Sequence, residues 1–238
     1  MESIYLTDMY STFSFDLGRD AVRYIIKKYK IEKMYIPYYL CDVIRHTLAE
    51  EGCKPIFYHI DDNFYPSISF PETEYILYPN YFGICKNNIK NLAQNYPKLI
   101  VDNAHAYYDK PSGFACFNVG HKFNLPKSTL WIKKDDSVQE LNLKQDDIKA
   151  AEDMLNLFLE LHNQYGKDNM INIDLNNLSC SCIYPFLAES EDIAEKVVKE
   201  LKNKGKTVYR YWSPLPKSFN EYKFFLRLVP IPVLPVVN

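Results

Sequence analysis

The feature that most constrains this chain is a regular alternation of helix and strand patterns over its first half. Apolar side chains recur at i, i+3 and i+4 over residues 18–29, which predicts an amphipathic helix. Short strand patterns at 33–38 and 54–60 flank a second helical pattern at 40–51. Because strands joined through helices run parallel, the alternation predicts an α/β fold with a mostly parallel sheet flanked by helices.

The alternation continues through a strand pattern that is apolar on both faces. Segment 98–102, with the sequence KLIVD, has polar residues only at its ends, which is typical of a strand buried inside a parallel sheet. The other elements predicted here are strands at 74–79, 114–119 and 129–133 and a helix at 86–96. Ligands bind beyond the carboxyl ends of such strands, so we expect a site around Asp102.

The pattern changes after a long amphipathic helix at residues 146–165. The later predicted elements are strands at 180–186 and 207–211, helices at 190–204 and 220–226, and a proline-containing extended segment at 228–237. Hydrophobic residues make up 47% of the 238 residues, which is enough to bury a full core without crosslinks. We therefore predict a large domain at 1–145, a connecting helix at 146–172 and a small C-terminal α+β domain at 173–238.

Charge and cysteine content exclude several classes of protein. The net charge is -2 at pH 7 and the basic residues form no stripe, which argues against nucleic acid or an anionic membrane as a partner. We expect the six cysteines to be free thiols, because a chain of this length does not need disulfides. The sequence lacks zinc-ligand spacing, a phosphate loop and a dinucleotide fingerprint, and no apolar run reaches the ~18 residues of a membrane span. We expect a soluble, cytoplasmic protein without a metal.

Asp102 and Lys122 are the residues that could carry chemistry. A carboxylate at a strand end inside a dry crevice needs a cationic partner, and the protonated pyridine nitrogen of pyridoxal 5′-phosphate (PLP) would be one. His105, three residues later, could face the same ring. An amine held beside a cationic ring becomes nucleophilic, so Lys122 could form a Schiff base with PLP and move a proton at the substrate. His121, next to it, is interpreted as a loop residue.

The start of the first helix is a candidate phosphate site. Its opening residues are Gly18, Arg19, Asp20 and Ala21, and Asp16 just before them is a candidate cap. A helix N-terminus offers free N–H groups and the positive end of the helix dipole to an anion. A glycine at the first position permits close approach of the backbone.

Each of these residues also has an ordinary structural explanation. Asp102 alone could be a turn residue, His105 a buried structural histidine and Lys122 a surface lysine. The pairs Tyr38–Tyr39 and Tyr81–Phe82 fit a ring stacked on a cofactor and ordinary core packing about equally well. The order and spacing of the features together favour the PLP interpretation.

Four segments resemble, in order, parts of the DegT/StrS-type PLP-dependent aminotransferases, which have the fold-type I, aspartate-aminotransferase-like fold. They are GRDAVRYIIKKYKIEKMYIPYYLCDVIRHTLAEEGCKPIFYHID, KLIVDNAHAY, FACFNVGHKFNLP and YPFLAESEDIAEKVVKELKNKGKTVYRYWSPLP. The resemblance implies that Asp102 pairs with the ring nitrogen, His105 contacts the ring and Lys122 is the Schiff-base lysine. The family's phosphate-binding serine before the lysine has no clear equivalent here, and Asn118 and Cys116 are the candidates to take its place.

The resemblance implies an activity as well as a fold. It is that of a homodimeric aminotransferase that transfers an amino group to a keto group of a sugar nucleotide or another small metabolite, as in polysaccharide biosynthesis. The chain is shorter than is common in the family, and only five arginines are available to bind an amino donor's carboxylate. Two alternatives stay open: a non-catalytic homologue that acts as a binding or partner subunit, and a PLP enzyme with another reaction, such as decarboxylation.

Overall fold

Two β-sheets organise the residues that the computed structural model describes, which are 10–134, 145–212 and 215–233. The strands are β1 (Tyr10–Phe15), β2 (Lys33–Pro37), β3 (Lys54–Tyr58), β4 (Ile76–Pro79), β5 (Leu99–Asn103), β6 (Ala115–Asn118), β7 (Ser128–Lys133), β8 (Ile183–Leu187) and β9 (Leu228–Pro232). The helices are α1 (Gly18–Tyr29), α2 (Asp42–Glu50), α3 (Lys86–Asn95), α4 (Gln145–Tyr165), α5 (Glu191–Asn203) and α6 (Tyr222–Arg227). Two short 3-10 turns, Tyr81–Gly83 and Gly120–Phe123, follow β4 and β6.

The large sheet has seven strands in the order β1-β7-β6-β5-β4-β2-β3. The strands from β2 to β6 pair in parallel, and β7 is antiparallel to both β6 and β1. The predicted α/β fold with a mostly parallel sheet is confirmed. The sequence pattern does not predict β1, because its sequence YSTFSF contains few large aliphatic residues and it is a partly exposed edge strand.

Most predicted elements lie within a few residues of their observed bounds, but two predictions are wrong. Helix α1 covers the predicted residues 18–29, yet Asp16 does not cap it. Leu17 precedes the helix without a side-chain cap, and Asp16 pairs with Lys127 instead. The predicted strand at 207–211 is irregular, because this segment pairs with no neighbouring strand in the described part of the chain.

Helices and the second sheet cover both faces of the large sheet. Successive residues of β5 point to opposite faces, so Ile100 packs in the core formed with α1 and α2, whereas Leu99 and Val101 pack in the core on the other side. That second core also contains side chains of α3, α4, β8 and β9. Coverage of both faces explains why the sequence of β5 is apolar along its length.

The C-terminal elements are built around the antiparallel pair of β8 and β9, which α5 and α6 contact. Ser190 Oγ accepts a hydrogen bond from the N–H of Ile193 (3.3 Å), which is a side-chain cap at the start of α5. These elements share one apolar core with α4 and the large sheet. The division into domains at 1–145, 146–172 and 173–238 stays a prediction.

The cysteine side chains are free thiols, and four of the six are buried. Burial raises the pKa of Cys53 to about 11 and the pKa of Cys85 to about 12, so both thiols stay protonated near neutral pH. Among the described residues, no helix combines the length and the apolar character that crossing a bilayer needs.

A buried carboxylate fastens the C-terminal elements to the large sheet. Glu221, just before α6, is fully buried, and its Oε1 accepts a hydrogen bond from the N–H of Ile60 (2.8 Å). The same oxygen lies 3.0 Å from Nδ1 of His59, which follows β3. A buried carboxylate that loses such partners is costly, so these bonds require α6 and the end of β3 to stay together.

We expect Glu221→Ala to lower the free energy of unfolding by about 3 kcal/mol, because it leaves the N–H of Ile60 and the ring of His59 without their buried acceptor. The measurement is urea unfolding at neutral pH. Lys223→Ala is the matched control: Lys223 forms an ion pair with the exposed Asp62, and we expect a loss of under about 1 kcal/mol. Equal losses in the two variants would contradict this role of Glu221.

Candidate active site

A cavity of about 280 Å³ lies at the carboxyl ends of β4, β5 and β6. The starts of α1 and α2 and the turn after β6 complete its walls. Its lining residues are Leu17, Gly18, Arg19, Cys41, Val43, Ile44, Pro79, Asn80, Asp102, Ala104, His105, Phe117, Val119, His121, Lys122 and Trp212. The structure therefore brings Lys122, Asp102 and His105 together with the start of α1, at the sheet edge where the sequence predicts a site.

Asp102 supplies a buried carboxyl group near the end of β5. Its side chain is 7% exposed, and Oδ1 accepts a hydrogen bond from the N–H of Ala104 (2.8 Å). Burial raises the pKa of Asp102 from its ordinary value of 3.8 to about 6, although the Ala104 N–H and the Lys122 amine act in the opposite direction. A cation placed beside this carboxylate would recover the free energy that burial costs.

His105 presents an unpartnered ring nitrogen in the same cavity. Its side chain is 4% exposed, and Nδ1 accepts a hydrogen bond from the N–H of Phe82 (3.4 Å). Burial, together with the nearby Lys122 amine, holds the pKa of His105 well below its usual range, so the ring is neutral. With Nδ1 as acceptor, the ring proton belongs on Nε2, which is buried and has no partner among the described residues. This N–H is a donor available to a ligand.

Lys122 lies in the turn Gly120–Phe123 between β6 and β7. A tight loop fixes this turn, because the N–H of Leu125 donates to the carbonyl of Gly120 (3.0 Å). A Cβ at Gly120 would lie 2.0 Å from the carbonyl oxygen of Lys127, so only glycine fits. The Lys122 amine is close enough to Asp102 to affect the pKa of that carboxyl group.

Of the four residues at the start of α1, two line the cavity and two lie outside it. Gly18 and Arg19 line the cavity. A Cβ at Gly18 would lie 2.5 Å from Cγ2 of Val119, so the close approach of α1 to the residue after β6 depends on glycine. Asp20 instead pairs with an arginine one turn later (2.7 Å), and Ala21 is buried in the core with α2.

Asn118 is not among the residues that line the cavity. Its Nδ2 donates to the carbonyl of Tyr107 (3.1 Å), and its Oδ1 accepts from the N–H of Thr129 (2.7 Å). The side chain thus joins the strand end to two loops. This position does not support Asn118 as a phosphate ligand.

Tyr38 and Tyr39 also lie outside the cavity wall. The Tyr38 ring stacks on Phe57, with 5.0 Å between ring centroids. Tyr39 is buried, and its hydroxyl donates to the carbonyl of Tyr211 (2.9 Å) while its ring contacts the edge of Trp212. The sequence leaves two explanations open for these tyrosines, a ring stacked on a cofactor and core packing. The contacts of both side chains are packing contacts.

Trp212 and His121 are cavity residues that the sequence analysis does not identify. Trp212 lies within the WSPLP segment near the C-terminal end of the sequence, and nothing in its local pattern indicates that it contacts the cavity residues of the large sheet. His121, interpreted as a loop residue, also faces the cavity, and burial and the adjacent Lys122 lower its pKa. The adjacency of His121 to Lys122 is the signal that could have identified it.

Arg19 differs from the other four arginines of the chain because it has no partner among the described residues. The others are engaged as follows: Arg23 with Asp20, Glu50 and Glu51; Arg45 with Asp42 and the carbonyl of Tyr38; Arg210 with Glu195 and two carbonyls; and Arg227 with the carbonyl of Glu189. Arg19 is exposed and lines the cavity, so its guanidinium group is available to an anion there.

The raised pKa of Asp102 predicts a pH-dependent penalty on the stability of the cofactor-free protein. The folded state favours the protonated carboxyl group of Asp102. Its contribution to the free energy of unfolding is therefore fully present below about pH 4 and is lost as the pH rises through about 6. A pKa that moves from 3.8 to about 6 corresponds to about 3 kcal/mol. Relative to the parent, we therefore expect Asp102→Asn to gain about 3 kcal/mol in unfolding free energy between pH 4 and pH 7, measured with urea. A constant difference over this range would contradict the prediction.

Comparisons with known proteins find this fold in solved structures. An aminotransferase from Brucella abortus, described as DegT/DnrJ/EryC1/StrS, is 12% identical, with a TM-score of 0.67 over 95% of this chain and 82% of that chain. PseC of Helicobacter pylori, an aminotransferase of pseudoaminic acid biosynthesis, is 12% identical, with a TM-score of 0.64 over 93% of this chain and 81% of that one. A Streptococcus pneumoniae protein assigned as a sugar aminotransferase, in its PLP form, is 12% identical, with a TM-score of 0.67 over 95% and 83%.

Sequence comparison adds no closer relation. No protein-family model matches the chain, and no curated protein sequence matches it. The likeness of the solved structures extends over nearly the whole chain. The chain therefore has the fold of the PLP-dependent DegT/DnrJ/EryC1/StrS aminotransferases.

Proposed function

We propose that the protein is a PLP-dependent aminotransferase. The observation that carries this proposal is that the buried carboxyl group of Asp102 and the amine of Lys122 line one cavity at the carboxyl edge of the sheet. One group is suited to a ring cation and the other to an aldehyde. The structural likeness to aminotransferases, one of them in its PLP form, supports the same conclusion.

The polar groups of the cavity fit the parts of PLP. Among the described residues the buried Asp102 forms no salt bridge, and the pyridine nitrogen of PLP would place a cation next to its carboxylate. The unpartnered Nε2 of His105 would donate to the phenolic oxygen of the ring. The N–H groups at Gly18 and the guanidinium group of Arg19 would hold the phosphate.

The chain's own residues then have distinct tasks. PLP, when bound, supplies an electron sink for the bond that breaks at the substrate carbon. Asp102 would keep the ring nitrogen protonated, and a cation at this position would favour the carboxylate form that burial disfavours. Lys122 would hold the cofactor through its amine and, when that amine is free, would take a proton from the substrate carbon and return it. The apolar walls, among them Phe117 and Trp212, exclude water from this proton transfer.

The substrate we propose is a keto group on a sugar nucleotide or another small metabolite, with an amino acid as donor. The description of one structural neighbour, the Streptococcus pneumoniae protein assigned as a sugar aminotransferase, supports the sugar assignment. We propose that the protein acts as a cytoplasmic homodimer. The family resemblance of the sequence supports this part of the proposal.

A second candidate is a homologue that keeps the fold but acts as a binding or partner subunit. The observation that favours it is that the predicted phosphate ligand Asn118 has both side-chain atoms engaged by the backbone. A PLP enzyme with another reaction, such as decarboxylation, uses the same cofactor contacts. Amino donors that bleach the cofactor band and yield the keto acid support amino transfer, whereas release of carbon dioxide supports decarboxylation.

We expect the purified protein with added PLP to show a visible absorption band, and we expect Lys122→Ala to abolish it because the amine that binds the aldehyde is gone. Borohydride treatment followed by peptide mass mapping should find the cofactor attached at Lys122. Lys127→Ala is the matched control, since Lys127 lies in the same loop, pairs with Asp16 and does not line the cavity.

Two outcomes of this experiment would contradict the proposal, and a third would show that Lys122→Ala disturbs the loop. If the parent protein gives no band, or if PLP attaches elsewhere, the enzyme assignment fails and the binding-subunit candidate gains support. If Lys127→Ala also abolishes the band, the loss reflects a disturbed loop rather than the loss of one amine.

We expect Arg19→Gln to weaken PLP binding by on the order of 10-fold to 100-fold, as is usual for a lost charged hydrogen bond. Pyridoxal, which lacks the phosphate, should bind the variant and the parent equally. The measurement is a titration of the absorption band with each compound. Arg23→Gln, one helical turn later and paired with carboxylates, is the matched control and should leave PLP binding unchanged. Equal weakening for pyridoxal would show that Arg19 shapes the cavity rather than holding a phosphate.

A further inference from the structure

The segment from Arg210 to Trp212 reaches the cavity from the C-terminal part of the chain. Arg210 Nη1 donates to the carbonyl of Phe225 (3.1 Å) at the end of α6, which fixes one end of the segment. The hydroxyl of the buried Tyr39 donates to the carbonyl of Tyr211 (2.9 Å), which fixes the other end. Trp212 then lines the cavity. The segment is irregular, but hydrogen bonds from two sides hold it in place.

Two aromatic rings of this segment face the candidate catalytic groups. The Trp212 ring is nearly parallel to His105, with 6.1 Å between centroids and 11° between planes. The Tyr211 ring lies 5.4 Å from His105, and Nζ of Lys122 lies 5.7 Å from its centroid. Burial raises the pKa of Tyr211, so its phenol is neutral and attracts the ammonium group through the face of the ring rather than as an ion pair.

The described residues give the Lys122 amine no hydrogen bond and no salt bridge. Asp102 acts on it only through the longer-range electrostatic effect that appears in the pKa of the carboxyl group. The face of Tyr211 is therefore the contact that fixes the direction of the side chain. An unrestrained lysine side chain populates many rotamers, and ordering it costs free energy when the amine must act at one atom.

We propose that Tyr211 is a positioning residue for Lys122, its ring holding the amine over the cavity for reaction with an aldehyde. The proposal rests on the proposed function, because it assigns Lys122 the reaction with PLP. A cation–π contact suits this task, since it orients the ammonium group without a hydrogen bond that must break before the amine reacts. The C-terminal part of the chain thereby sets the geometry of a residue on the large sheet.

The first test uses the protein without cofactor. Reductive methylation with isotope-labelled formaldehyde keeps the positive charge of each lysine, and a Lys122→Arg variant identifies the Lys122 signal in the NMR spectrum. We expect this signal to be displaced upfield by the Tyr211 ring current. Tyr211→Phe should keep the displacement, because it keeps the ring, and Tyr211→Leu should lose it. A Lys122 signal at the position of the other lysines in the parent protein would overturn the proposal.

The second test measures how fast the cofactor-free protein captures PLP, stopped with borohydride and read as mass attached at Lys122. We expect Tyr211→Phe to react within about twofold of the parent and Tyr211→Leu on the order of 10-fold more slowly. Tyr209→Leu is the matched control, one residue before this segment: Tyr209 is 55% exposed and lies outside the cavity, and its removal should leave the rate unchanged.

The two tests separate the failure of this proposal from that of the proposed function. If no variant, the parent included, captures PLP, the enzyme assignment fails while the NMR result still decides whether Tyr211 holds Lys122. If Tyr211→Phe and Tyr211→Leu slow capture equally, the hydroxyl or the packing matters and the ring-face role is wrong. If Tyr211→Leu does not fold, retention of the rate and of the displaced signal in Tyr211→Phe supports the proposal, and loss of either overturns it.

Discussion

The burial of one carboxyl group, that of Asp102, is the constraint on which the candidate site depends. The strand that carries it is covered on both faces, so its last residues reach the edge of the sheet in a largely dry environment. One N–H, from Ala104, compensates part of the cost, and the pKa of the carboxyl group rises to about 6. A cation near this carboxylate offsets the cost of its burial, and the Lys122 amine on the neighbouring turn offsets part of it. The ring nitrogen of PLP would offset more of it.

A buried polar network behind this edge fixes the site to the C-terminal elements. Asn80 Nδ2 lies 3.0 Å from Oδ1 of Asn103, 3.2 Å from Asp109 and 3.3 Å from Oγ of Ser179. The side-chain amide of Asn80 thus connects the ends of β4 and β5 with the segment before β8. Because each member is satisfied by the others, the network favours a single arrangement of the two parts of the chain. This restraint matters for the site, since Trp212 lies beyond β8 in sequence and must arrive at the same place.

The sequence predicts what local pattern and strand-end position determine. Helix α1 and the apolar strand β5 follow from periodicity, and a site around Asp102 follows from the rule that parallel strands place ligands at their carboxyl ends. The placement of Lys122 in the same site follows from the family resemblance. It does not predict β1 or the positions of Tyr211 and Trp212. Their environments depend on contacts across most of the chain, and an irregular segment carries no periodic signal. For the same reason, Tyr38 and Tyr39 could not be assigned to the cavity or to packing before their neighbours were known.

The distribution of partners among the cationic side chains distinguishes structural groups from available ones. Arginines with carboxylate or carbonyl partners hold helices together, whereas Arg19 and Lys122 have no such partner in the described part of the chain and both line the cavity. The buried Nε2 of His105, in the same place, also has no partner among those residues. Each such group alone is common at a protein surface. The buried carboxyl group of Asp102 and the buried Nε2 of His105 leave an uncompensated electrostatic cost in one small volume, with two cationic side chains beside them. A ligand with an anionic end, a polar middle and a cationic ring would remove that cost.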